Sequence, residues 1–413
     1  MEVEDAFNYR SRVFVVLWIV NFLLTFAISL VATPIPYLMR EFVVGQDVQS
    51  AITEAYGIVL SLGYVATTLG YFLGGFMADS VGRRTIVASS FFMLAAGFGL
   101  FAVASNMYFL YAARFIQMFG LGFSAPALSA LVADYSEQGS RGMAYGVYNL
   151  SWITAQIPAP LLGGMIAQFV NLRIPFVMAI FISVMGLLFS IPMRGKHVEK
   201  SRVGDEEAVV VEVDSKKKVS IRKIVLIFSL TNLMNGLLNG FVGPVFNGFL
   251  MFRLNAEPTE YGLVSAIAIG VVTAIVQIPG GKLTDKFGRK HLVIFSFLGA
   301  PLVFALAFSQ SLLEFGLILG AIAAVGNISG PATSAWLMDF VPKHKRASVS
   351  GITRTLNGAG LSMGPTAGSY VWNMTKPDAV VPCFVASLIY AIGLPFYLIL
   401  GESRKTSEAV EAN

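Results

Sequence analysis

Two ten-residue segments, GFMADSVGRR at 75–84 and GKLTDKFGRK at 281–290, decide the fold of this chain. Both contain a Gly, an Asp four residues later, and then Gly-Arg followed by Arg or Lys. Other residues recur at the same offset of 205 or 206 positions: Tyr56-Gly57 as Tyr261-Gly262, Gly146 as Gly351, and Pro160 as Pro365. Self-similarity at a fixed offset indicates an internal repeat. The sequence therefore predicts two related halves.

The composition places both halves in a membrane. Hydrophobic residues make up 55% of the 413 residues and charged residues only 13%, whereas a soluble chain carries about 25% charged residues. Twelve stretches of at least 19 residues lack Asp, Glu, Lys and Arg: 13–39, 55–78, 85–113, 115–133, 142–172, 174–193, 224–252, 261–281, 291–313, 315–338, 355–375 and 379–401. A membrane-spanning helix needs about 20 apolar residues. The expected fold is all-α and integral to the membrane, with twelve transmembrane helices in two pseudo-symmetric six-helix bundles.

Charged residues mark the boundary between the halves and the direction of the spans. The segment 194–223 holds nine Lys or Arg and six Asp or Glu. It is predicted to be a cytoplasmic linker between an N-terminal bundle, 1–193, and a C-terminal bundle with a short tail, 224–413. Of the 29 Lys and Arg residues, 23 lie in the termini and the even-numbered connections and four in the odd-numbered ones. The positive-inside rule then predicts that both termini are cytoplasmic. The expected location of this multi-pass protein is the plasma membrane.

Groups that could support catalysis are scarce. The chain has a single cysteine, Cys383, and three scattered histidines, which do not match a disulfide framework or a metal site. It has no G-x-x-x-x-G-K-[ST] phosphate loop. We therefore expect no enzyme activity, cofactor, metal or nucleic-acid partner. A membrane receptor is the alternative from another functional class.

The duplicated signature G-x-x-x-D-x-x-G-R-[RK], in a chain of twelve spans, resembles that of the major facilitator superfamily. The resemblance implies a secondary transporter that moves a small organic solute by alternating access between two rocking bundles. Its drug/proton antiporter branch would imply export of drug-like or amphipathic, neutral or anionic compounds. Uptake of a sugar, organic acid or other metabolite, by symport or facilitated diffusion, is the alternative. The implied partners are the solute, the lipid bilayer and, as a candidate, protons, with the chain acting as a monomer.

The same resemblance gives the loop signature a gating role. In the family each Asp faces the cytoplasmic N-terminus of a helix in the other half, where an anion is favourable. The second Gly permits a tight turn. The competing interpretation is that these basic loops only orient the spans. The predicted gate residues are Gly75, Asp79, Gly82, Arg83, Gly281, Asp285, Gly288 and Arg289.

Small residues and a proline recur in the fifth and eleventh spans. Their spacing resembles the antiporter motif G-x8-G-x3-G-P-x2-G-G, although Ala155 and Ala159 replace two glycines in the fifth span. Small residues let helices approach closely, and proline bends a helix locally. Packing alone is the other interpretation. The predicted packing residues are Gly146, Pro160, Gly163, Gly164, Gly351, Gly360, Gly364, Pro365 and Gly368.

By resemblance, the first, fourth, seventh and tenth spans should line a central cavity. Polar residues recur at helical spacing in these spans, which favours one polar face. Polar side chains can instead join neighbouring helices. The predicted cavity residues are Asn21, Thr25, Ser29, Tyr111, Arg114, Gln117, Asn232, Asn235, Asn239, Asn327 and Thr333.

Arg114 is the one charge predicted to lie deep in a span. With Gln117 it resembles the family's R-x-x-Q-G pattern, although Met118 stands where the glycine belongs. A charge in the bilayer is costly and normally faces a cavity or a partner. No Asp or Glu is predicted at such depth, which disfavours a permanently cationic substrate and leaves proton coupling without a buried acid. A neutral or anionic amphipathic solute is therefore expected.

Overall fold

The computed structural model describes residues 12–43, 47–136, 141–193, 221–340, 346–376 and 378–399, and every regular element within them is a helix. Among these described residues, nine helical stretches are long and apolar enough to cross a membrane: 14–39, 48–78, 83–102, 107–134, 144–169, 223–253, 258–276, 289–308 and 380–399. Two shorter apolar helices, Ile174–Ser190 and Leu312–Ile328, coincide with the sixth and tenth predicted spans. A helix of 30 residues, Arg346–Thr375, covers the eleventh. The twelve-span expectation is confirmed.

In the described part of the first half there are eight helices. They are α1 (Arg12–Ala32), α2 (Pro34–Met39), α3 (Val48–Val81), α4 (Arg83–Ala102), α5 (Met107–Asp134), α6 (Arg141–Gln156), α7 (Pro158–Phe169) and α8 (Ile174–Ser190). The first span consists of α1 and α2, and the fifth of α6 and α7. Each breaks where a proline, Pro34 or Pro158, begins the second helix, because proline has no N–H to donate to the preceding turn.

The second half is more interrupted than the first. Its helices are α9 (Ile221–Gly248), α10 (Pro258–Val264), α11 (Val272–Phe287), α12 (Arg289–Ser296), α13 (Gly299–Ala305), α14 (Leu312–Ile328), α15 (Gly330–Phe340), α16 (Arg346–Thr375) and α17 (Val380–Ile399). Two π-helical segments, Phe249–Arg253 and Ser265–Val271, extend α9 and join α10 to α11. The span formed by α10 and α11 corresponds to α3 in the first half, and α3 is continuous α-helix. The halves therefore share a topology but differ in backbone regularity.

Side-chain caps determine where several helices begin. Asp47 caps α3 by accepting a hydrogen bond from the backbone N–H of Ser50 at 3.1 Å. Asn106 caps α5 by accepting one from Phe109 at 3.2 Å. Such caps satisfy N–H groups that have no partner within the helix. The third and fourth spans therefore separate between Ala102 and Met107.

The two faces of the bundle carry different connections. The turns at Gly82 and Gly288 lie on one face, here called the motif face. The opposite face, here called the distal face, carries the connections that precede α3 and α10. Most of the predicted linker, 194–220, and the tail from 400 onward lie outside the described residues, so the domain boundaries stay predictions.

The hydrophobic cores of the halves differ. The first half has one large cluster that includes Phe91, Phe98 and Phe101. The second half has two, one containing Phe249, Phe315 and Trp372 and the other containing Phe228, Trp336 and Tyr397. Residues from both clusters of the second half line a common cavity.

Candidate transport cavity

A cavity of about 700 Å³ lies in the second half and is lined mainly by spans seven to ten and twelve. That volume is within the range of pockets for drug-sized molecules. Along α9 and its π-helical extension the lining runs from Thr231 to Leu250. At 1.5 Å per residue this is about 28 Å. The cavity therefore extends through most of the thickness of a bilayer.

Three asparagines of α9 form a polar edge of this cavity. Asn232, Asn235 and Asn239 all line it, and the last two are exposed to it. The amide of Asn239 donates 2.8 Å hydrogen bonds to the backbone oxygen and to Oδ1 of Asn235. Asn232 donates to the Phe228 carbonyl at 2.8 Å. The linked amides of Asn235 and Asn239 present both donors and acceptors to a solute.

The tenth span supplies the facing polar groups. Asn327 and Thr333 line the cavity. The amide of Asn327 donates to the Ala323 carbonyl at 2.8 Å and to Thr273 Oγ1 at 3.2 Å. The Thr333 hydroxyl donates to the Ser329 carbonyl at 3.0 Å. Every predicted cavity residue of the second half therefore lies in this lining.

Aromatic residues that were not predicted as cavity residues complete the lining. They are Tyr56, Phe246, Tyr261, Phe297, Phe315, Tyr390 and Tyr397. Tyr56 and Tyr261 stood out in the sequence only as repeat partners, whereas Tyr390 and Tyr397 lie in an apolar run with no distinguishing signal. Among the described residues that line the cavity, none is Asp, Glu, Lys, Arg or His. The site is neutral, with an amide edge and aromatic walls.

The predicted cavity residues of the first half lie elsewhere. Asn21 is buried and donates a 2.7 Å hydrogen bond to Ser151 Oγ, which joins α1 to α6. Thr25 is buried and Ser29 half-buried. Tyr111 packs edge-on against Tyr108, with ring centroids 6.2 Å apart. None of the four lines the described cavity, so their part in a central cavity stays a prediction.

Arg114 lies against α3, beside the cavity rather than in its lining. Its Nη1 donates to Gln117 Oε1 at 3.0 Å, and its charge faces Tyr56 and Tyr64. A Cβ at Gly63 would come within 2.9 Å of Arg114 Nε, so this glycine makes room for the guanidinium. Arg114 Nε and Gln117 Nε2 are buried without a hydrogen-bond partner among the described residues. Neither Arg114 nor Gln117 lines the described cavity, so their part in a central cavity stays a prediction.

The loop signature forms tight turns on the motif face. Gly82 has φ +98° and Gly288 has φ +80°, a conformation that favours glycine. Arg83 forms an ion pair with Asp134 and donates to the Ala130 carbonyl at 3.1 Å. It thereby joins the start of α4 to the end of α5 within the first half.

The other predicted gate residues have the following positions. A Cβ at Gly75 would meet Pro126 at an ordinary 3.7 Å. Asp79 and Asp285 lie in the last turns of α3 and α11, but their side chains lie outside the described part. Gly281 lies in α11 and Arg289 begins α12. The contact of each Asp with the other half therefore stays a prediction.

The predicted packing residues lie at close helix contacts, with two exceptions. A Cβ at Gly360, Gly364 or Gly368 would overlap backbone oxygens of α9. Gly163 meets the Leu30 carbonyl of α1, and Gly164 meets the Pro258 carbonyl of the other half. The Pro160 carbonyl accepts a 3.2 Å hydrogen bond from Thr33, and Pro365 packs on Gly240. The exceptions are Gly146 and Gly351, where an added Cβ would meet no described atom within 4 Å.

Hydrogen bonds join the two halves near the distal face. Thr259 N donates to Gln168 Oε1 at 3.1 Å, and the Asn373 amide donates to the Ser50 carbonyl at 3.1 Å. The hydroxyls of Ser61 and Thr366, 2.8 Å apart, also join the halves but lie deeper along α3. At the outer end Lys376 forms an ion pair with Asp47 and also contacts Ser50. These contacts close the distal face of the molecule.

Comparison with known proteins agrees with this architecture. The family model described as Major Facilitator Superfamily matches residues 17–231 and again 228–412. The chain is 23% identical to the "Tetracycline resistance protein, class B" of Escherichia coli over 92% of each chain. It is 21% identical to the "Multi-drug resistance efflux pump PmrA homolog" of Lactococcus lactis subsp. lactis, over 90% of each.

Solved structures show the same fold. A D-xylose-proton symporter superposes with a TM-score of 0.73 at 16% identity, covering 94% of this chain and 98% of the other. The human organic anion transporter MFSD10 superposes with a TM-score of 0.65 at 17% identity, covering 94% and 99%. The expectation of a multi-pass transporter of small organic solutes is confirmed. With both halves matched by the family model, the chain belongs to the Major Facilitator Superfamily.

Proposed function

We propose that this transporter exports uncharged, amphipathic, drug-like compounds from the cytoplasm and that it catalyses no covalent reaction. The observation that carries this proposal is the neutral lining of the cavity, with an amide edge on α9 and aromatic walls. An apolar wall contributes roughly 25 cal/mol for each Å² that it buries, while a few amides orient a solute. The relatives named for tetracycline and multidrug resistance support the direction.

In this proposal both termini are cytoplasmic and the membrane is the plasma membrane. The distal face, closed by Lys376 and Asp47, is then extracellular. Asp79 and Asp285 would hold the motif face closed in the opposite state, by facing helix N-termini of the other half. Replacing Asp79 with Asn should lower the transport rate more than it lowers expression.

Uptake of a polar metabolite is the second candidate. The paired amides of Asn235 and Asn239 suit a solute rich in hydroxyl groups, and a sugar–proton symporter shares the fold. Under this alternative the uncharged cavity would bind a sugar through hydrogen bonds, and the sugar would accumulate on the cytoplasmic side.

Proteoliposomes distinguish the two candidates. The purified protein is tested for uptake and efflux of a neutral amphipathic dye, an anionic dye, a cationic dye and D-xylose, with and without an imposed pH gradient. Export predicts saturable movement of the neutral dye away from the motif face. Exclusive movement of D-xylose would favour the second candidate, and dye flux that ignores the gradient would exclude proton coupling.

The asparagine pair provides a matched test of the cavity. Asn239→Leu should raise the KM for the neutral dye several-fold, because it removes an exposed amide from the cavity edge. Asn21 donates its amide to Ser151 Oγ within the first half at 2.7 Å and does not line the described cavity, so Asn21→Leu serves as the control. An unchanged KM in Asn239→Leu would place the dye elsewhere.

A further inference from the structure

Tyr56 and Tyr261 occupy equivalent positions of the two repeats, 205 residues apart. Their side chains also lie close to each other across the boundary between the halves. Equivalent residues of two repeats touch only where both lie beside the pseudo-symmetry axis. This pair therefore lies at the centre of the molecule, where the halves must separate if they move apart.

Both tyrosines line the cavity, and among the described residues Tyr56 is the only lining residue that the first half contributes. Tyr56 is only 8% exposed. Tyr261 also packs edge-on against Tyr37 of the first half, with ring centroids 6.3 Å apart. The pair lies between the cavity and the contacts of the distal face.

The residue after each tyrosine makes a repeat-related contact. A Cβ at Gly57 would lie 2.9 Å from the Pro365 carbonyl, and one at Gly262 would overlap the Pro160 carbonyl. Pro160 and Pro365 are themselves repeat partners. On each side, backbone contact between the halves therefore brings one tyrosine to the axis.

The two sides differ in backbone regularity. Tyr261 lies in the short helix α10. The π-helical segment Ser265–Val271 follows α10 directly, and the π-helical segment Phe249–Arg253 ends shortly before α10 begins. Tyr56 lies in the continuous helix α3. π-helical turns are uncommon and frequently occur at functional sites, so the second half is the side where a small backbone change can move the ring.

From these contacts we infer that Tyr56 and Tyr261 form the extracellular lid of the cavity. Their rings cover a bound solute, and their separation releases it outward. The inference rests on the proposed function in two respects: the proposed topology makes the distal face extracellular, and the proposed export makes release outward. The lid itself follows from the cavity lining and the contact across the halves.

Thiol labelling tests the lid without any substrate. Cys383, the single cysteine, is buried and is replaced by Ala. Val242, which lines the cavity, is replaced by Cys as a reporter; it lies five residues, or about 7.5 Å, inward of Asn247 along α9. Val103, 65% exposed on the distal face, becomes the accessible reference as Val103→Cys. A membrane-impermeant maleimide is applied from each side of oriented vesicles.

The expected result is slow labelling of Val242→Cys from the distal side, relative to Val103→Cys. Tyr56→Ala or Tyr261→Ala should raise that rate about tenfold, because each change removes an aromatic side chain that lines the cavity at the boundary between the halves, and with it the burial that stabilises the closed face. Tyr56→Phe keeps the ring and should give a smaller rise. Tyr64→Ala is the matched control, because Tyr64 also lies in α3 near Arg114 but does not line the cavity.

Unchanged labelling in both alanine variants, or an equal rise in Tyr64→Ala, would overturn the lid. Since no solute is needed, failure of all dyes to move would overturn the proposed function alone. The Phe variant keeps the test valid if an Ala variant does not fold.

Discussion

The Tyr37 hydroxyl donates a 2.6 Å hydrogen bond to the carbonyl of Ala256, which lies 219 residues away in the other half of the molecule. Both residues are buried near the distal face. The ring of Tyr37 also packs against Arg40 and Tyr261. One side chain therefore links the end of the first span to the connection that precedes α10.

Tyr37→Phe should favour opening of the distal face. The change removes the cross-half hydrogen bond, worth about 0.5–1.5 kcal/mol net, and keeps the ring. Distal-side labelling of Val242→Cys should rise about two- to tenfold. Tyr370→Phe, at a position 67% exposed, is the control and should not change the rate. Equal rates in the two variants would show that the bond does not contribute to closure.

The Asp47–Lys376 ion pair should keep the distal face closed at all pH values that cells meet. The Asp47 carboxylate accepts hydrogen bonds from Lys376 and from the Ser50 N–H, and these lower the pKa of Asp47 from 3.8 to about 2. A lowered pKa means that the pair contributes fully above about pH 4 and is lost only as the pH falls towards 2. Between pH 5 and 8, labelling of Val242→Cys relative to Val103→Cys should be constant in the parent and higher throughout in Asp47→Asn. A parent rate that climbs between pH 8 and 5 would contradict this.

Gly262→Ala should prevent tight closure of the distal face. Its new Cβ would overlap the Pro160 carbonyl, a backbone group that cannot rotate away. Gly351→Ala is the matched control, since a Cβ there has open space. We expect faster distal labelling and slower dye transport in Gly262→Ala only. Wild-type behaviour of Gly262→Ala would mean that the two helices can shift apart without consequence.

Asn21→Leu should affect stability rather than substrate affinity. Its amide joins α1 to α6 through Ser151, and hydrogen bonds between membrane helices contribute about 0.6 kcal/mol on average and up to about 1.7. The melting temperature in detergent should fall, while the KM of the remaining folded protein stays unchanged. Asn239→Leu should show the reverse pattern. A raised KM in Asn21→Leu would indicate that Asn21 contributes to the substrate site, as the sequence predicted.

Reversal of the Arg83–Asp134 pair tests whether the loop residue acts through its charge. Arg83→Asp should lower the melting temperature, because it places two acids together where Asp134 is only 11% exposed. The double variant Arg83→Asp/Asp134→Arg should regain most of the loss. If the double variant is no more stable than the single one, the hydrogen bond to Ala130 matters more than the ion pair.

The sequence alone determined the class of the protein. Membrane spans are local features, since about 20 consecutive apolar residues suffice for each. The repeat is visible as a fixed offset, which needs no knowledge of contacts. Gly82 and Gly288 could likewise be assigned to tight turns, because the backbone conformation of a turn acts on the residue itself. Fold, repeat and transporter family therefore required no tertiary information.

The tertiary structure decided which polar residues serve the cavity. Asn21 and Asn239 are the same residue type at similar helical spacing, yet one holds two helices together and the other faces the cavity. Sequence periodicity shows that a helix has a polar face but not what packs against it. Tyr390 and Tyr397 gave no signal, because a cavity wall and a packed core have the same apolar composition. Tyr56 and Tyr261 come close to each other only because two repeats fold about a common axis, and their proximity is a property of that arrangement rather than of either segment.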